Sequence, residues 1–507
     1  MEMKDDGTPI KSSLIDLEES ISQRNELQKR KYRRRIILFT CITVVVLIVI
    51  ISIIIALNKK KDDDNKNEEP RDDDKHDDEP INLNSIKAKY LIDNIEGKTK
   101  IINIEKKDLK IRLYIDGKEQ PFENEHKFDE KKEYLIEYSF EENLLDIDEL
   151  FMDIKNLKEI NFTGIKTDNI KSMNKLFYNC INLEKVTLND LKTSKLESMQ
   201  SMFEGCKELK ELNMMKFDTS NVNNMNSMFL NCYKIEGINI EFFDMSKVED
   251  ASYMFKNCYS LKEVNLKNNI ESSSIKMKSF FSGCISLENI NMNDFNRKKV
   301  TEIDYMFNDC ILLKSIDLSK FDTTEINTIS HLFSNCSSLI SLDISPMNFS
   351  NVNTMTNAFS HCSSLKSIDL SNFDTSKVTA MRNLFYNCSS LEKIELNKYK
   401  INITDLSGLF AQCSSLINIT LSVDRVQTIS NLFKGCYSLQ NLDLSEFHAN
   451  SIISYVQNDI FPEEIENVTI YYNSSIFGSL EKRIPDTWIK VDVSNSTDYS
   501  SLLYNKL

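Results

Sequence analysis

Apolar residues recur along most of this chain with a period of 26 residues. Each unit repeats the pattern FxxCxxLxxIxL or a close variant, as in Phe177–Leu188. In the second half of the pattern apolar and polar residues alternate, which predicts a short β-strand. A fixed period over nearly 300 residues is typical of a solenoid, in which each unit buries its apolar side chains against its neighbours.

The segment after the strand has a different spacing. Phe373–Ser376 (FDTS) is followed by apolar residues at Val378, Met381, Phe385 and Cys388. That spacing falls on one face of a helix, and Asp, Thr and Ser before it favour a turn or a helix N-cap. Each unit is therefore predicted to be a strand, a turn and a short helix, and the fold class is an α/β solenoid of about twelve 26-residue strand-turn-helix units.

One column of the repeat is cysteine. Its members are Cys180, Cys206, Cys232, Cys258, Cys284, Cys310, Cys336, Cys362, Cys388, Cys413 and Cys436, and the preceding slot falls on Ile154. Because this column shares the predicted helix face with Phe and Met, we expect a structural core ladder of reduced cysteines. Stacked side chains about 5 Å apart and parallel make poor disulfides. Occasional disulfides or a metal or redox site are the alternatives, although no CxxC or zinc spacing occurs.

The N-terminal part contains a predicted membrane span. Ile36–Leu57 is a run of 22 residues without a charge, which is long enough to cross a bilayer. Lys29–Arg35 places six basic residues before it. The positive-inside rule therefore predicts a single-pass type II membrane protein, with a cytosolic N-terminus and the repeats at the cell surface.

Composition suggests the remaining domain boundaries. Asn58–Pro80 is densely charged and has no large apolar residue, so we expect a disordered stalk. The segments Lys98–Ile104, Leu109–Phe122 and Glu133–Phe140 are strand-like, and Asp116-Gly117 is a hairpin signal. The predicted order is a cytosolic tail (1–35), a transmembrane helix (36–57), an acidic stalk (58–80), a β-rich N-terminal cap domain (81–150), the solenoid (151–450) and a C-terminal cap with Trp488 (451–507).

The chain offers little that is typical of catalysis. It has no GxSxG elbow, P-loop or HExxH motif, and its five histidines are scattered, so neither an enzyme nor a cofactor is predicted. His331 and His361 lie near cysteines in sequence, but those cysteines belong to the predicted core. The formal net charge of −15 argues against a nucleic-acid partner.

The strand face is the predicted contact surface. The residue between the two apolar strand positions must face solvent, and in the later units this column is acidic. The candidate ligand-facing residues are Asp317, Asp343, Asp369, Glu395 and Asp443. Three interpretations are open: a contact surface for a basic or carbohydrate-bearing partner, a weak calcium strip, or a solubilising face that every unit shares.

The repeat also resembles a known one. The run from Phe359 to Met381, F-x-x-C-S-S-L-x-x-I-D-L-S-x-F-D-T-S-x-V-x-x-M, is echoed from Phe203 to Met225. It is similar to the 26-residue repeat of BspA-like leucine-rich-repeat surface proteins, over about 60% of the chain. The resemblance implies a leucine-rich-repeat-like array on a surface-exposed protein, and adhesion to proteins or cells. The pattern departs at Leu266–Met277 and in the last two, shorter units.

These observations together predict a membrane-anchored surface protein. We expect its polar strand face to bind an unknown protein or glycan ligand on the extracellular side, without catalysis. Two alternatives are a receptor subunit that signals through a partner of the short cytosolic tail, and a structural coat in which solenoids pack edge to edge.

Overall fold

The computed structural model describes most of the chain after the predicted stalk. The described residues are 84–494, apart from 105–109, 163, 166, 190, 215, 239–242, 269–273, 296–297, 320, 371–373, 375, 396–402, 449–459 and 463. The predicted cytosolic tail (1–35), transmembrane helix (36–57) and stalk (58–80) lie outside them. No helix among the described residues is long and apolar enough to cross a membrane.

Short strands are the main regular elements of the described part of the chain. They are β1 (Ser85–Leu91), β2 (Thr99–Lys100), β3 (Ile111–Ile115), β4 (Lys118–Gln120), β5 (Glu125–His126), β6 (Glu133–Phe140), β7 (Leu157–Asn161), β8 (Lys185–Thr187), β9 (Glu211–Asn213), β10 (Gly237–Ile238), β11 (Glu263–Asn268), β12 (Ile275–Lys276), β13 (Asn289–Phe295), β14 (Lys298–Glu302), β15 (Phe321–Asp322), β16 (Ser367–Asp369), β17 (Lys393–Glu395), β18 (Asn418–Thr420), β19 (Asn441–Leu444), β20 (Thr469–Tyr472) and β21 (Ile489–Asp492). One four-residue helix, α1 (Ser474–Phe477), and one 3-10 helix (Gly478–Arg483) complete the regular elements of this part.

An antiparallel unit covers the first repeat strand. One sheet has the order β4-β3-β6-β1-β7-β8-β9, in which β1 pairs antiparallel with β7 and β7 pairs parallel with β8. The edge of β7 is thereby paired, which removes an aggregation-prone strand edge. Asp116 and Gly117, both with positive φ, join β3 to β4 in the expected hairpin. β1 was not predicted from the sequence, although Ile86, Ala88 and Tyr90 alternate with exposed residues along it.

The repeats form successive coils, each displaced from the next by one period. In the first coils Ile160, Val186 and Leu212 are direct neighbours in parallel strands. The predicted strand at the IxL position is therefore present here, and it builds one face of the solenoid, the strand face. Where Asp317 and Asp343 occupy this column, each carboxylate accepts a hydrogen bond from the backbone N–H two residues on. Such a turn competes with strand pairing, and neither residue lies in a named strand.

The predicted helix of each unit is wrong. The first complete unit buries Met173, Leu176, Phe177 and Cys180, which is the spacing of an amphipathic helix. The described residues 173–180 nevertheless contain no helix and consist of turns. The same spacing thus arises from another backbone conformation, and the solenoid is built of strands and turns rather than of strands and helices.

Left-handed residues explain the difference. Lys175 and Asn179 have φ angles of 53° and 57°, a conformation that costs about 1–2 kcal/mol per residue in an L-amino acid and interrupts a right-handed helix. Two turns follow each other instead. The N–H of Tyr178 donates to the carbonyl of Lys175 at 3.0 Å, and that of Cys180 donates to Phe177 at 3.1 Å. Positive φ recurs at equivalent positions in later coils.

The other backbone N–H groups of this segment donate to the next coil. Lys175 donates to Gln200 at 2.9 Å, Phe177 to Met202 at 2.9 Å and Asn179 to Glu204 at 2.6 Å. Alternate N–H groups therefore close turns within a coil or link two coils. Because buried backbone groups need partners, a coil of this kind is stable only between neighbours. We call this side of the solenoid the turn face.

A column of phenylalanines stacks beneath the turn face. Thirteen rings run from Phe151 to Phe461, and neighbouring rings are stacked with centroids 5.1–6.3 Å apart. Aromatic pairs at such distances attract one another beyond their burial. The column fixes the position of every coil relative to the next.

The FDTS segment joins coils rather than capping helices. The Thr219 hydroxyl is buried and accepts a hydrogen bond at 2.7 Å from the N–H of Asp244 in the next coil. The Asp218 carboxylate accepts the N–H of Ser220 and forms a local turn. The predicted turn is confirmed, but the predicted N-cap is wrong because no helix follows.

The last coil is covered by a parallel extension of the sheet. β18, β19, β20 and β21 pair in that order. Trp488 is buried, its indole N–H donates to Ile465 at 3.1 Å, and its ring lies 5.3 Å from that of Phe461 at the end of the phenylalanine column.

The left-handed turn positions give a direct test of this backbone. We expect Gly283→Ala to lower the free energy of unfolding by about 1–2 kcal/mol, the cost of a left-handed L-residue. Gly283 has φ +79°, and its added Cβ would stand 2.4 Å from the Asn257 side-chain oxygen. The measurement is urea unfolding followed by circular dichroism.

Gly237→Ala is the matched control. Gly237 has no atom within 4 Å of its added Cβ and no positive φ, so its change should stay within about 0.5 kcal/mol. Equal effects of the two substitutions would contradict the tandem-turn backbone.

Candidate functional site

The predicted ligand-facing residues do not all behave alike. Asp317, Asp343 and Asp369 are exposed and occupy the same column of successive coils, and we call them the acidic strip. Glu395 lies in β17 directly opposite Asp369, but its side chain is outside the described part of the structure.

Asp443 does not face solvent as expected. Only 6% of it is exposed, because β20 adds a strand beside it and places Tyr471 opposite in the register. Its carboxylate accepts the N–H of Ser445 at 3.1 Å. Asp443 belongs to the covered end of the solenoid and is not part of the acidic strip.

Hydrogen bonds keep the centre of the acidic strip ionised. The side chain and the backbone N–H of Ser345 donate to the carboxylate of Asp343 and hold its pKa below its usual range. The charges of Asp317 and Asp369 act in the opposite direction. The three like charges therefore interact, and local hydrogen bonding outweighs their repulsion.

Another surface column is arranged in the opposite way. Charge alternates through seven coils in one column: Lys158, Glu184, Lys210, Glu236, Lys262, Glu288 and Lys314. Glu184 forms ion pairs with Lys158 at 3.5 Å and with Lys210 at 3.4 Å. Each exposed pair contributes only about 0–1 kcal/mol, but the sign pattern avoids repulsion between coils. The acidic strip departs from this pattern.

Among the residues whose placement is described, no group of three or more His, Cys, Asp or Glu side chains could hold a metal ion. The calcium interpretation of the strip therefore gains no support from the geometry.

The eleven repeat cysteines lie in the core as free thiols. Each Sγ donates to the backbone carbonyl of the phenylalanine in the preceding coil, at 2.9–3.3 Å. That carbonyl also accepts the N–H of the cysteine in its own coil, as Phe177 does from Cys180. Cysteine suits the slot because it is small and apolar, yet carries a donor for the carbonyl.

Burial makes these thiols chemically inert. It raises the pKa of Cys362 and of Cys436 to about 12, and the thiolate is the reactive form. The histidines that stood near cysteines in sequence lie elsewhere. His331 stacks on Tyr305 with centroids 4.4 Å apart, and His361 contacts Tyr386.

A cavity of about 310 Å³ opens on the turn face near the C-terminal end of the repeats. Arg382, Tyr386, Asp405, Thr428 and Asn431 are among the residues that line it. This cavity was not predicted from the sequence. The available signal was the replacement of side chains by Gly408 and Ala411 in two columns of the repeat, beside one of its few arginines.

The repeats match the model of a known protein family. The family model described as "Mycoplasma protein of unknown function, DUF285" matches residues 145–269, 234–315, 262–368, 313–422 and 353–462, together more than half of the chain. The chain belongs to the DUF285 family. The overlapping matches, each longer than one repeat, follow from the stacking of DUF285 coils along the solenoid. No curated protein matches the sequence.

Solved structures with similarity to this DUF285 chain are repeat proteins. One is a leucine-rich repeat protein from Bacteroides ovatus, with 20% identity, 61% of this chain and 85% of that chain covered, and a TM-score of 0.38. Another is a leucine rich cell surface protein from Faecalibacterium prausnitzii, with 20% identity, 58% of this chain and 81% of that chain covered, and a TM-score of 0.28. A third is a leucine-rich-repeat protein from Leptospira interrogans, with 14% identity, 67% of this chain and 90% of that chain covered, and a TM-score of 0.24. Likeness at this level carries no argument about ligands.

Thiol reactivity tests the cysteine column. In the full chain carrying Cys41→Ser, which removes the one cysteine outside the repeats, we expect none of the eleven to react with Ellman's reagent at pH 8. All eleven should react in urea, because unfolding exposes them and restores an ordinary thiol pKa.

Ser319→Cys supplies the positive control, since Ser319 is exposed and its thiol should react at once. Rapid reaction of any repeat cysteine in the folded chain, or an increase in total thiol after treatment with reductant, would contradict the buried, unbridged column.

Proposed function

We propose that this protein is a non-catalytic, membrane-anchored surface protein of BspA-like type whose solenoid recognises a basic partner through the acidic strip. The observation that carries the proposal is the stacking of like charges. Asp317, Asp343 and Asp369 are exposed and occupy the same column of successive coils, and hydrogen bonds from Ser345 hold the pKa of Asp343 below its usual range. The Lys–Glu column of the same solenoid, in contrast, alternates in sign.

Stability alone does not account for this arrangement. A solubilising face would be served equally well by mixed charges, and these would also attract one another between coils. A row of carboxylates on successive coils instead matches lysine or arginine side chains on a partner. Complementary charge of this kind increases association rates and fixes register.

The membrane part of the proposal rests on sequence. The uncharged run Ile36–Leu57 follows the basic cluster Lys29–Arg35, which favours a single span with the repeats outside the cell. The stalk at 58–80 would then hold the solenoid away from the bilayer. A protein or glycan ligand on the extracellular side is the proposed partner.

Protease treatment of intact cells tests the display of the solenoid. With epitope tags at both ends of the full chain, we expect the C-terminal tag to be lost and the N-terminal tag to survive. Survival of the C-terminal tag until the cells are lysed would exclude a surface role and favour an intracellular scaffold.

Charge neutralisation tests the acidic strip. On cells that display the full chain, we expect the triple variant Asp317→Asn, Asp343→Asn and Asp369→Asn to bind fluorescent poly-lysine at least tenfold more weakly than the parent. Asparagine retains a side-chain acceptor for the local turns, so the fold should persist. Binding of the parent should also weaken steeply with salt.

The control removes the same three charges from the N-terminal unit, with Glu96→Gln, Glu119→Gln and Glu142→Gln, all exposed positions. Equal loss in both triple variants would mean that net charge alone attracts poly-lysine, and would contradict recognition by the strip. If the parent protein binds no poly-lysine but forms large oligomers, a structural coat is favoured. If truncation of the cytosolic tail abolishes a cellular response while binding is retained, a receptor subunit is favoured.

A further inference from the structure

We propose that the turn-face cavity between Arg382, Tyr386 and Asp405 is a binding site for one neutral sugar ring. The cavity crosses three successive coils on the turn face, whereas the acidic strip lies on the strand face. The inference therefore stands whether or not the acidic strip binds a basic partner.

Small residues create the cavity at one place in the repeat. The column that holds Tyr305 and Asn383 in other coils holds Gly408 here, and the column of Tyr386 holds Ala411. A Cβ on Gly408 would lie 2.1 Å from the Asn383 side-chain oxygen, so the glycine lets that side chain lie over its backbone. The floor is thereby fixed by backbone that cross-coil hydrogen bonds hold in place, such as the bond from Gly408 N–H to Ser430 at 2.8 Å.

Three polar side chains at the cavity have no hydrogen-bond partner among the described residues. In earlier coils the column of Asn431 is linked by a side-chain hydrogen bond, between Asn357 and His331 at 3.1 Å. Within the described residues, the Arg382 guanidinium and the Tyr386 hydroxyl form no hydrogen bond or ion pair, and the Asn431 amide also forms none. A tyrosine hydroxyl, a guanidinium and an amide therefore converge on one cavity with their hydrogen-bonding capacity available to a ligand.

Asp405 supplies a fixed acceptor beside them. Its Oδ1 accepts the Thr428 hydroxyl at 2.7 Å and the Ser407 N–H at 2.9 Å. Partial burial acts to raise the pKa of this carboxyl, but the hydrogen bonds from Ser407 and Thr428 and the charge of Arg382 hold it below its usual range. The carboxylate is therefore ionised and oriented before any ligand arrives, which reduces the cost of binding.

These features match a neutral sugar better than an ion. One positive and one negative side chain balance in the cavity, so an anionic ligand would lose near Asp405 what it gains at Arg382. A pyranose presents hydroxyls to carboxylate, guanidinium and amide groups, and its C–H face suits the negative face of the Tyr386 ring. The volume of about 310 Å³ lies at the lower end of small-ligand pockets, which suits one ring.

Ligand-observed NMR on the full-length chain tests the proposal, in a detergent without a sugar headgroup. The probes are methyl glycosides of glucose, galactose, mannose and N-acetylglucosamine, with methyl glucuronide as the anionic counterpart. We expect saturable binding of at least one neutral glycoside with a Kd of about 1 mM, a weak affinity that reflects the loss of translational freedom and the desolvation of polar groups on binding.

Substitutions locate the binding. Tyr386→Ala and Asp405→Asn should each weaken the neutral glycoside at least tenfold, and the exposed Arg382→Gln provides a third variant that does not disturb packing. The controls are Tyr178→Ala, which removes the tyrosine at the equivalent position eight coils earlier, and Arg425→Gln, which removes another exposed arginine of the repeats. Both controls should bind like the parent.

Three results would overturn the proposal. They are the absence of binding by every neutral glycoside at tens of millimolar, binding that all three cavity variants leave unchanged, and binding of methyl glucuronide alone with loss in Arg382→Gln. The last would assign the cavity to anionic ligands.

Discussion

The cross-coil hydrogen bond of the turn face is the interaction on which the rest of the structure depends. In every second residue of this segment the backbone N–H is turned away from its own coil and donates to the next, as Phe229 does to Met254 at 2.9 Å. This is possible only because left-handed residues such as Ser227 and Asn231 interrupt the helical path. The phenylalanine column and the thiol that bonds each phenylalanine carbonyl then follow from the same coil-to-coil spacing.

Periodicity predicts the solenoid but not its backbone. The 26-residue spacing and the strand at Ile160 and Val186 could be predicted because a strand and a stack leave direct patterns in the sequence. The turn segment could not, because tandem turns with a left-handed residue every fourth position bury the same i, i+3, i+4, i+7 set as a helix. The signal that distinguishes them is the column of Asn, Gly, His and Asp before the cysteine, which are the residues that tolerate positive φ.

The acidic strip and the turn-face cavity also differ in how far the sequence predicts them. The exposure of Asp317, Asp343 and Asp369 is predicted by the alternation of apolar and polar residues in the sequence, although Asp317 and Asp343 lie in local turns rather than in a strand. The burial of Asp443, in contrast, depends on β20, which lies beyond the repeat and pairs with it only in three dimensions. The cavity at Arg382 depends on Gly408 and Ala411, two positions of one coil at which the larger side chains of other coils are missing. A repeat motif records what each unit has in common, and this site consists of what one unit lacks.

A scalar coupling across one hydrogen bond tests the tandem-turn backbone most directly. In the full chain labelled with 15N-phenylalanine and 13C-carbonyl methionine, we expect a coupling from the Phe229 nitrogen to the Met254 carbonyl carbon. A second sample that carries Met254→Leu should lose this signal, which assigns it. A coupling from the same nitrogen to the carbonyl of Met225, four residues earlier, would show an α-helix in this segment and contradict the account.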